Sequence, residues 1–234
     1  MRLYIIRHAD PDYQNDTITP GGHLEAQALA ERMRREGLDR IFCSPLGRAI
    51  ATMKYTAEAL GMGYEIEEWT RELEGLWCGD SPWGSIALWD IPGEVIRGYD
   101  VMPAHSDWMK EKFISTTKAA EVFDKVRKGS DEFLKRLGYE RVGGRYRIIK
   151  RNTEKVAVFC HNGFGLTWLA HLLEIPVSLM WTGFWLAPTS VTTVLFDERS
   201  DEWAVPRCLQ VGDVSHLYHA GIEVKPRGII KNFY

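Results

Sequence analysis

Two stretches of the chain contain no polar residue, and each ends in a histidine. Residues 3–6 are apolar and are followed directly by Arg7 and His8. Residues 156–160 are apolar as well and are followed directly by His161. Such short apolar runs are typical of strands that are buried on both faces of a parallel sheet. Because ligands bind at the carboxyl ends of such strands, the pattern predicts a site that contains both histidines.

Strand and helix patterns alternate in the first third of the chain. The predicted elements are a strand at 3–6, a helix from Thr19 to Gly37, a strand at 40–43, a helix at 49–60 and a strand at 64–69. This βαβαβ order is typical of an α/β protein with a parallel sheet. Arg48 follows the second strand as Arg7 follows the first. We therefore expect the two guanidinium groups to converge at one edge of the sheet.

Residues 80–152 differ in pattern from the rest of the chain. Their first part shows no clear period, and a helix is then predicted from about residue 117 to Gly138. Residues 139–149 alternate around two glycines, which is a strong hairpin signal. We interpret residues 80–152 as an insertion that lies over the mouth of the site, within a single domain of residues 1–234.

Side chains of this insertion could contact a substrate beyond its phosphate. Trp83, Trp89 and Trp108 offer flat apolar walls, although tryptophans more often lie in a core. The basic residues around the predicted hairpin include Arg145 and Arg147. They form either a solvated face or a surface that grips an anionic substrate. A long insertion at the mouth of a site can also close on a ligand.

Composition narrows the class of partner. The net charge of −3 and the pI of about 6.2 argue against nucleic acid or an anionic membrane as the main partner. No Cys-x-x-Cys occurs, and His216 and His219 lack a third clear ligand, so we expect no metal site.

The N-terminus lacks the features of a signal peptide, and a cytoplasmic location is expected. The apolar residues 165–187 contain charged residues and a proline, which predicts a buried helix rather than a membrane span.

The pairing of Arg7 and His8 at a strand end suits phosphoryl chemistry. A phosphomonoester carries up to about −2 charge near neutral pH, and this charge repels nucleophiles until it is neutralised. Arg7 and Arg48 can neutralise it, and His8 can attack phosphorus. Asn162 and Gly163, at the start of the helix after His161, could offer free backbone N–H groups to the same anion. The alternative is that His8 is a core histidine and Arg7 a surface arginine.

Four elements together resemble the histidine phosphatase superfamily, also called the phosphoglycerate mutase-like family. They are Arg7-His8-Ala9, residues 44–49, the strand-ending His161, and the closing residues 213–217. Ala9 occupies the place of the glycine in the Arg-His-Gly signature of the family. The resemblance covers residues 1–79 and 155–217. It implies a three-layer α/β/α sandwich with a mostly parallel central sheet, here with an inserted lid segment, and a phosphohistidine mechanism.

The resemblance also implies roles for individual residues. Arg7, Arg48 and His161 would hold the phosphoryl group, and His8 would be the nucleophile. The proton donor of the family is a glutamate after the third strand. Glu72, which follows Arg71 and precedes Leu73 in the family manner, fits this position better than Glu74, although the spacing to the next glycine is one residue short.

The sequence offers two candidates for one further phosphate ligand. Family members often have an asparagine a few residues after Arg-His-Gly. In this chain the corresponding place is held by Gln14 or Asn15, and Gln14 is taken as the candidate ligand.

The function expected from these features is a metal-independent phosphomonoester hydrolase. It would act without a cofactor on a small phosphorylated metabolite. A phosphoglycerate mutase is the alternative in the same family, but the resembling mutases carry Ser-x-Trp-Asn where this chain has Pro11, Tyr13 and Gln14. A non-catalytic phosphate-binding module is a further alternative, although binding alone needs no proton donor. The sequence indicates neither the natural substrate nor the oligomeric state.

Overall fold

The computed structural model describes residues 1–79, 81–98, 101–104, 107–229 and 231–234, so residue 80, where the predicted insertion begins, lies outside the described residues. The strands are β1 (Arg2–Arg7), β2 (Pro11–Asp12), β3 (Thr17–Ile18), β4 (Arg40–Cys43), β5 (Glu65–Ile66), β6 (Trp77–Cys78), β7 (Ile86–Ala87), β8 (Tyr139–Val142), β9 (Arg145–Ile148), β10 (Lys155–Cys160), β11 (Val191–Asp197) and β12 (Trp203–Asp213). The helices are α1 (Pro20–Glu36), α2 (Gly47–Leu60), α3 (Gly93–Arg97), α4 (Ala119–Arg136), α5 (Asn162–Leu173), α6 (Val177–Gly183) and α7 (Ser215–His219).

The central sheet has eight strands in the order β5-β4-β10-β1-β11-β12-β9-β8. The four strands from β5 to β1 are parallel to one another, whereas β11, β12, β9 and β8 are added in antiparallel pairs. The fold is therefore α/β with a mixed sheet, and the expectation of a mostly parallel sheet is corrected. The reason is local, since β11 and β12, like β8 and β9, are joined by short connections that permit only antiparallel pairing.

Helices pack on both faces of this sheet, because side chains alternate along the strands. Leu3 and Ile5 of β1 face a core shared with α4, α5 and α6. Tyr4 and Ile6 face a second core shared with α1 and α2. Both faces of β1 are thus apolar, as the uninterrupted run at residues 3–6 predicts.

Both ends of α1 have the capping residues that the sequence predicts. The hydroxyl of Thr19 accepts a hydrogen bond from the backbone N–H of Gly22 at 3.0 Å and so caps α1. The helix ends before Gly37, whose φ of 71° suits glycine. The third predicted strand is shorter than expected: only Glu65–Ile66 pairs with β4, and a 3₁₀ turn follows at Glu68–Thr70.

No helix in the described part of the chain is long and apolar enough to cross a membrane.

Much of the segment from 81 to 152 belongs to the main architecture. Helix α4 packs against α5, and the β8–β9 hairpin extends the sheet next to β12. Trp108 is 0% exposed and lies in the core, so it is not a wall of the site. The guanidinium groups of Arg145 and Arg147 lie over the ring of Trp203. β9 is three strands from β1, or about 14 Å at normal strand spacing, so these two arginines lie in the antiparallel half of the sheet, away from the end of β1.

Candidate active site

The register of the parallel strands brings the two predicted histidines together. Arg7 at the end of β1 pairs with Cys160 at the end of β10. The next residues, His8 and His161, have ring centroids 5.1 Å apart. The backbone N–H of His8 also donates to the carbonyl of Cys160 at 2.9 Å, which fixes the first turn after β1.

His8 is held in the tautomer that a nucleophile requires. Its Nδ1 lies 2.7 Å from the carbonyl of Ala9 and must donate the proton, because a carbonyl oxygen only accepts. In the neutral ring, Nε2 then keeps its lone pair. Burial, with Arg7 as the nearest charge, holds the pKa of His8 well below its ordinary value of 6.5. The side chain lines a cavity of about 720 Å³ that opens at this edge of the sheet.

His161 is positioned by a hydroxyl group from the neighbouring strand end. Ser44 follows β4, which pairs with β10, and its Oγ lies 2.8 Å from Nε2 of His161. The other ring nitrogen, Nδ1, has no hydrogen-bond partner among the described residues. Burial, together with the charges of His8 and Arg48, holds the pKa of His161 well below its ordinary value.

Two arginines reach the cavity, as predicted, from β1 and from the first turn of α2. Arg7 is 4% exposed and donates to the carbonyl of Leu186. Arg48 donates to the carboxylate of Asp16 at 2.7 Å. The same carboxylate accepts from the backbone N–H of Gly47 at 2.7 Å. A Cβ at Gly47 would lie 2.1 Å from the carbonyl of Asp16, so this close approach requires glycine.

Glu72 comes from the loop after β5, lines the cavity and contacts the first turn of α5. Its carboxylate accepts hydrogen bonds from the backbone N–H groups of Gly163 at 3.2 Å and Phe164 at 2.8 Å. Leu73 N–H donates to it at 3.0 Å. Burial raises the pKa of Glu72, while these hydrogen bonds and Arg7 oppose the rise. The amide of Gly163 is therefore taken by Glu72, and the expectation of a free N–H at that position is corrected.

The remaining predicted site residues lie at the rim of the cavity, on its wall or outside it. Glu74 lies at the rim, where its exposed carboxylate is 3.6 Å from Arg71. Asn162 lines the cavity, and its Oδ1 accepts from the backbone N–H of Leu186 at 3.1 Å. Gln14 is exposed and is not among the cavity-lining residues, because Tyr13 occupies that side of the loop. Asn15 bonds to Asp12.

Several residues at the site carry no clear signal in the sequence. Asp90 lines the cavity, and burial raises the pKa of its carboxyl to about 6. Arg227 reaches the cavity from the C-terminal segment and pairs with Asp10. Asp16 positions Arg48. These residues are brought in by loops and by the chain terminus, where neither periodicity nor spacing predicts contact.

Metal ligands do not converge within the part of the chain that the structure describes, since no three His, Cys, Asp or Glu side chains there form a group that could hold an ion. His216, which had been one of two candidate ligands at helical spacing, is buried and lies 3.1 Å from the hydroxyl of Thr189. Among the described residues, the cationic side chains that line the cavity are those of Arg7, Arg48 and Arg227.

The order of these residues along the chain matches a known family. Residues 3–86, which include β1, Arg7, His8, Arg48 and Glu72, match the family model described as the histidine phosphatase superfamily, branch 1. Residues 3–86 of this chain are therefore identified with the histidine phosphatase superfamily, branch 1.

Curated relatives of this chain match it over part of their length. One is named "Putative phosphoserine phosphatase 2", from Hydrogenobacter thermophilus, and is 31% identical over 81 residues, or 31% of this chain and 40% of the relative. Another is named "Probable phosphoglycerate mutase GpmB", from Enterobacter sp., and is 30% identical over 83 residues, or 32% of this chain and 39% of the relative. The matches thus span about two fifths of the length of these relatives.

A solved structure extends the likeness in fold beyond the matched segment. Phosphoserine phosphatase from Entamoeba histolytica, in complex with 3-phosphoglyceric acid, superimposes with a TM-score of 0.62. The alignment covers 92% of this chain and 98% of that chain at 20% identity. The chain therefore shares the α/β fold of that enzyme over most of its length.

Proposed function

We propose that this protein is a phosphomonoester hydrolase that acts through a phosphohistidine at His8. The observation that carries the proposal is the orientation of His8. Its Nδ1 is bound by the Ala9 carbonyl, and its Nε2 is left as a base beside Arg7 and Arg48 in an open cavity. A nucleophile, two guanidinium groups and a carboxyl group meet the requirements of phosphoryl transfer without a metal.

In the first step, Nε2 of His8 attacks phosphorus in line with the leaving oxygen. The P–O ester bond breaks, the P–N bond forms, and Glu72 gives its proton to the leaving alcohol. Arg7, Arg48 and His161 hold the phosphoryl oxygens as charge develops on them. In the second step, Glu72 takes a proton from water, the water attacks phosphorus, and phosphate leaves His8. The raised pKa of Glu72 favours the protonated form that the first step needs.

The substrate is proposed to be a small phosphorylated metabolite. The cavity of about 720 Å³ has the size of small-molecule sites. The two relatives described above are named as a phosphoserine phosphatase and a phosphoglycerate mutase. The phosphatase from Entamoeba histolytica was crystallised with 3-phosphoglyceric acid and, as a variant, with phosphoserine. These names support phosphorylated three-carbon acids as the first compounds to test.

The proposal is tested by measuring release of inorganic phosphate from nitrophenyl phosphate, phosphoserine and 3-phosphoglycerate. A hydrolase releases phosphate from at least one of them, and the His8→Ala variant does not. Conversion of 3-phosphoglycerate to its 2-isomer with little phosphate release would instead indicate a mutase. Binding of phosphate compounds without turnover would indicate a binding module, and the hydrolase assignment would be abandoned.

A further inference from the structure

Asp90 is a carboxylate without a partner at the edge of the candidate site. It ends the 3₁₀ turn Leu88–Asp90, and within the described residues no hydrogen bond or ion pair to its side chain is found. It lines the same cavity as Arg7 and Glu72. Burial raises the pKa of Asp90 to about 6, an effect that Arg7 opposes and Glu72 increases. Above pH 7 the group is therefore mostly ionised.

A second cavity of about 920 Å³ lies on the other side of Asp90. The cavity of about 720 Å³ that His8 lines is called the phosphate cavity below. The second cavity shares four lining residues with it, and these are Trp89, Asp90, Asn162 and Gly228. Its other walls include four aromatic side chains, which are Trp83, Trp181, Phe184 and Trp185. We call this second cavity the aromatic chamber. The leaving group of a bound phosphomonoester can extend into it past Trp89 and Asp90.

In the described part of the chain, none of the arginines that line the phosphate cavity forms an ion pair with Asp90. Arg48 is paired with Asp16, and Arg227 is paired with Asp10. Arg7 has no carboxylate at ion-pair distance among the described residues, and a phosphate would engage it together with Arg48. A dianionic phosphate beside an ionised Asp90 is unfavourable unless a positive charge lies between or beyond them.

The aromatic chamber itself does not provide that positive charge. Among the described residues that line it, the charged ones besides Asp90 are Glu94 and Lys231, and both are exposed to solvent. Their opposite charges largely cancel, and exposed charges act weakly through water. A substrate that brings its own cation would therefore match both the carboxylate and the aromatic walls.

We propose that the aromatic chamber binds a cationic group of the substrate, so that the preferred substrates are phosphomonoesters whose alcohol carries an organic ammonium group. Ammonium groups bind over the faces of tryptophan rings, and a nearby carboxylate adds to this attraction. Trp89 and Asp90 are adjacent in sequence and lie on the wall between the two cavities, so they would contact the cation while phosphate stays at Arg7 and His8. The inference rests on the proposed phosphomonoesterase function.

A pair of esters of equal shape tests this inference. Phosphocholine carries a quaternary ammonium group, and 3,3-dimethylbutyl phosphate replaces the charged nitrogen by carbon. Values of kcat/KM for both esters are measured at pH 7.5 in the wild type, in Asp90→Asn and in the control Glu121→Gln, which neutralises an exposed carboxylate of α4. The ratio of the two values is expected to be about tenfold higher in the wild type than in Asp90→Asn. Glu121→Gln is expected to keep the ratio of the wild type.

Equal ratios in the wild type and in Asp90→Asn would overturn the cation site. Equal slowing of both esters in Asp90→Asn, with a nitrophenyl ester spared, would also overturn it and would make Asp90 a proton donor.

If no phosphomonoester is hydrolysed, the phosphatase proposal fails, and the cation site is judged by binding instead. Dissociation constants for phosphocholine and the carbon isostere are then measured from tryptophan emission. Tighter binding of phosphocholine that depends on Asp90 would sustain the cation site, and equal binding would reject it.

Discussion

The imidazole rings of His8 and His161 lie with their centroids 5.1 Å apart and their planes tilted by 58°. This closeness follows from the parallel register of β1 and β10, in which Arg7 pairs with Cys160. Two imidazoles so close to each other and to Arg7 and Arg48 are unfavourable as cations, and burial adds to this effect. Both rings are therefore neutral at neutral pH, which leaves one of them free to act as a nucleophile.

His8 is predicted to become phosphorylated during turnover. Rapid quenching with labelled substrate should give a protein adduct that is labile in acid and stable in base. His8→Ala should abolish the label, because it removes the Nε2 that faces the cavity. His23→Ala is the control, since His23 bonds to Tyr55 on α2 and does not line the cavity. A label that survives in His8→Ala would exclude His8 as the nucleophile.

Arg48→Ala is predicted to lower kcat/KM by about tenfold to over a hundredfold, which is about 1.5–3 kcal/mol for a lost charged hydrogen bond to phosphate. Asp16→Asn should have a smaller effect, because Asp16 positions Arg48 and does not line the cavity. Arg40→Ala, which removes a half-buried arginine that is paired with Glu65 and does not line the cavity, is the control. Unchanged kinetics in Arg48→Ala would mean that this guanidinium does not contact the substrate.

Glu72, rather than Glu74, is predicted to protonate the leaving group. Glu72→Gln should slow an alkyl phosphate far more than a nitrophenyl ester, whose leaving group needs little protonation. Glu74→Gln should affect both esters equally and weakly, because its carboxylate is exposed at the rim. The comparison requires steady-state rates for both esters in both variants. The reverse pattern would exchange the two roles.

Ser44→Ala is predicted to weaken phosphate binding by about fivefold, the value of one typical hydrogen bond. The Ser44 hydroxyl accepts from the N–H of Leu46 at 3.4 Å, so its own proton can go to Nε2 of His161. Nδ1 of His161 then carries a proton that can be donated to phosphate. Inhibition constants for phosphate and the ¹⁵N shifts of His161 would measure the effect and the tautomer.

The Ser44 prediction has a matched control and a rescue variant. Thr56→Val removes a buried hydroxyl that has no hydrogen-bond partner among the described residues, and it should leave both readouts unchanged. Ser44→Thr should restore binding, because it returns the hydroxyl group. Tight phosphate binding in Ser44→Ala with an unaltered tautomer would show that Ser44 does not set the state of His161.

His216 is predicted to make the free energy of unfolding depend on pH. Burial, aided by Arg32, lowers the pKa of His216 from 6.5 to about 4. Between these values the unfolded state binds a proton that the folded state does not, so stability falls as pH falls, by up to about 1.4 kcal/mol per pH unit. His216→Gln should remove about this much slope between pH 5 and pH 6 in urea titrations. Parallel curves for the two proteins would contradict the prediction.

The sequence by itself determined the strands that precede the two candidate site histidines and the residues that end those strands. Uninterrupted apolar runs predicted β1 and β10, and the register of parallel strands then required Arg7, His8 and His161 to lie at one edge of the sheet. Thr19 and Gly37 marked the ends of α1 because capping is a local interaction. The choice of Glu72 over Glu74 also came from its immediate neighbours, and it stays a prediction.

Tertiary structure alone decided how the site is completed. The antiparallel half of the sheet, the burial of Trp108 and the distance of the β8–β9 hairpin from the cavity depend on packing between distant segments. Glu72 takes the amide of Gly163 because the loop after β5 crosses the start of α5, which no spacing reveals. Asp16 and Asp90 reach the site from loops without periodicity. Their roles follow from contacts formed only when the chain has folded.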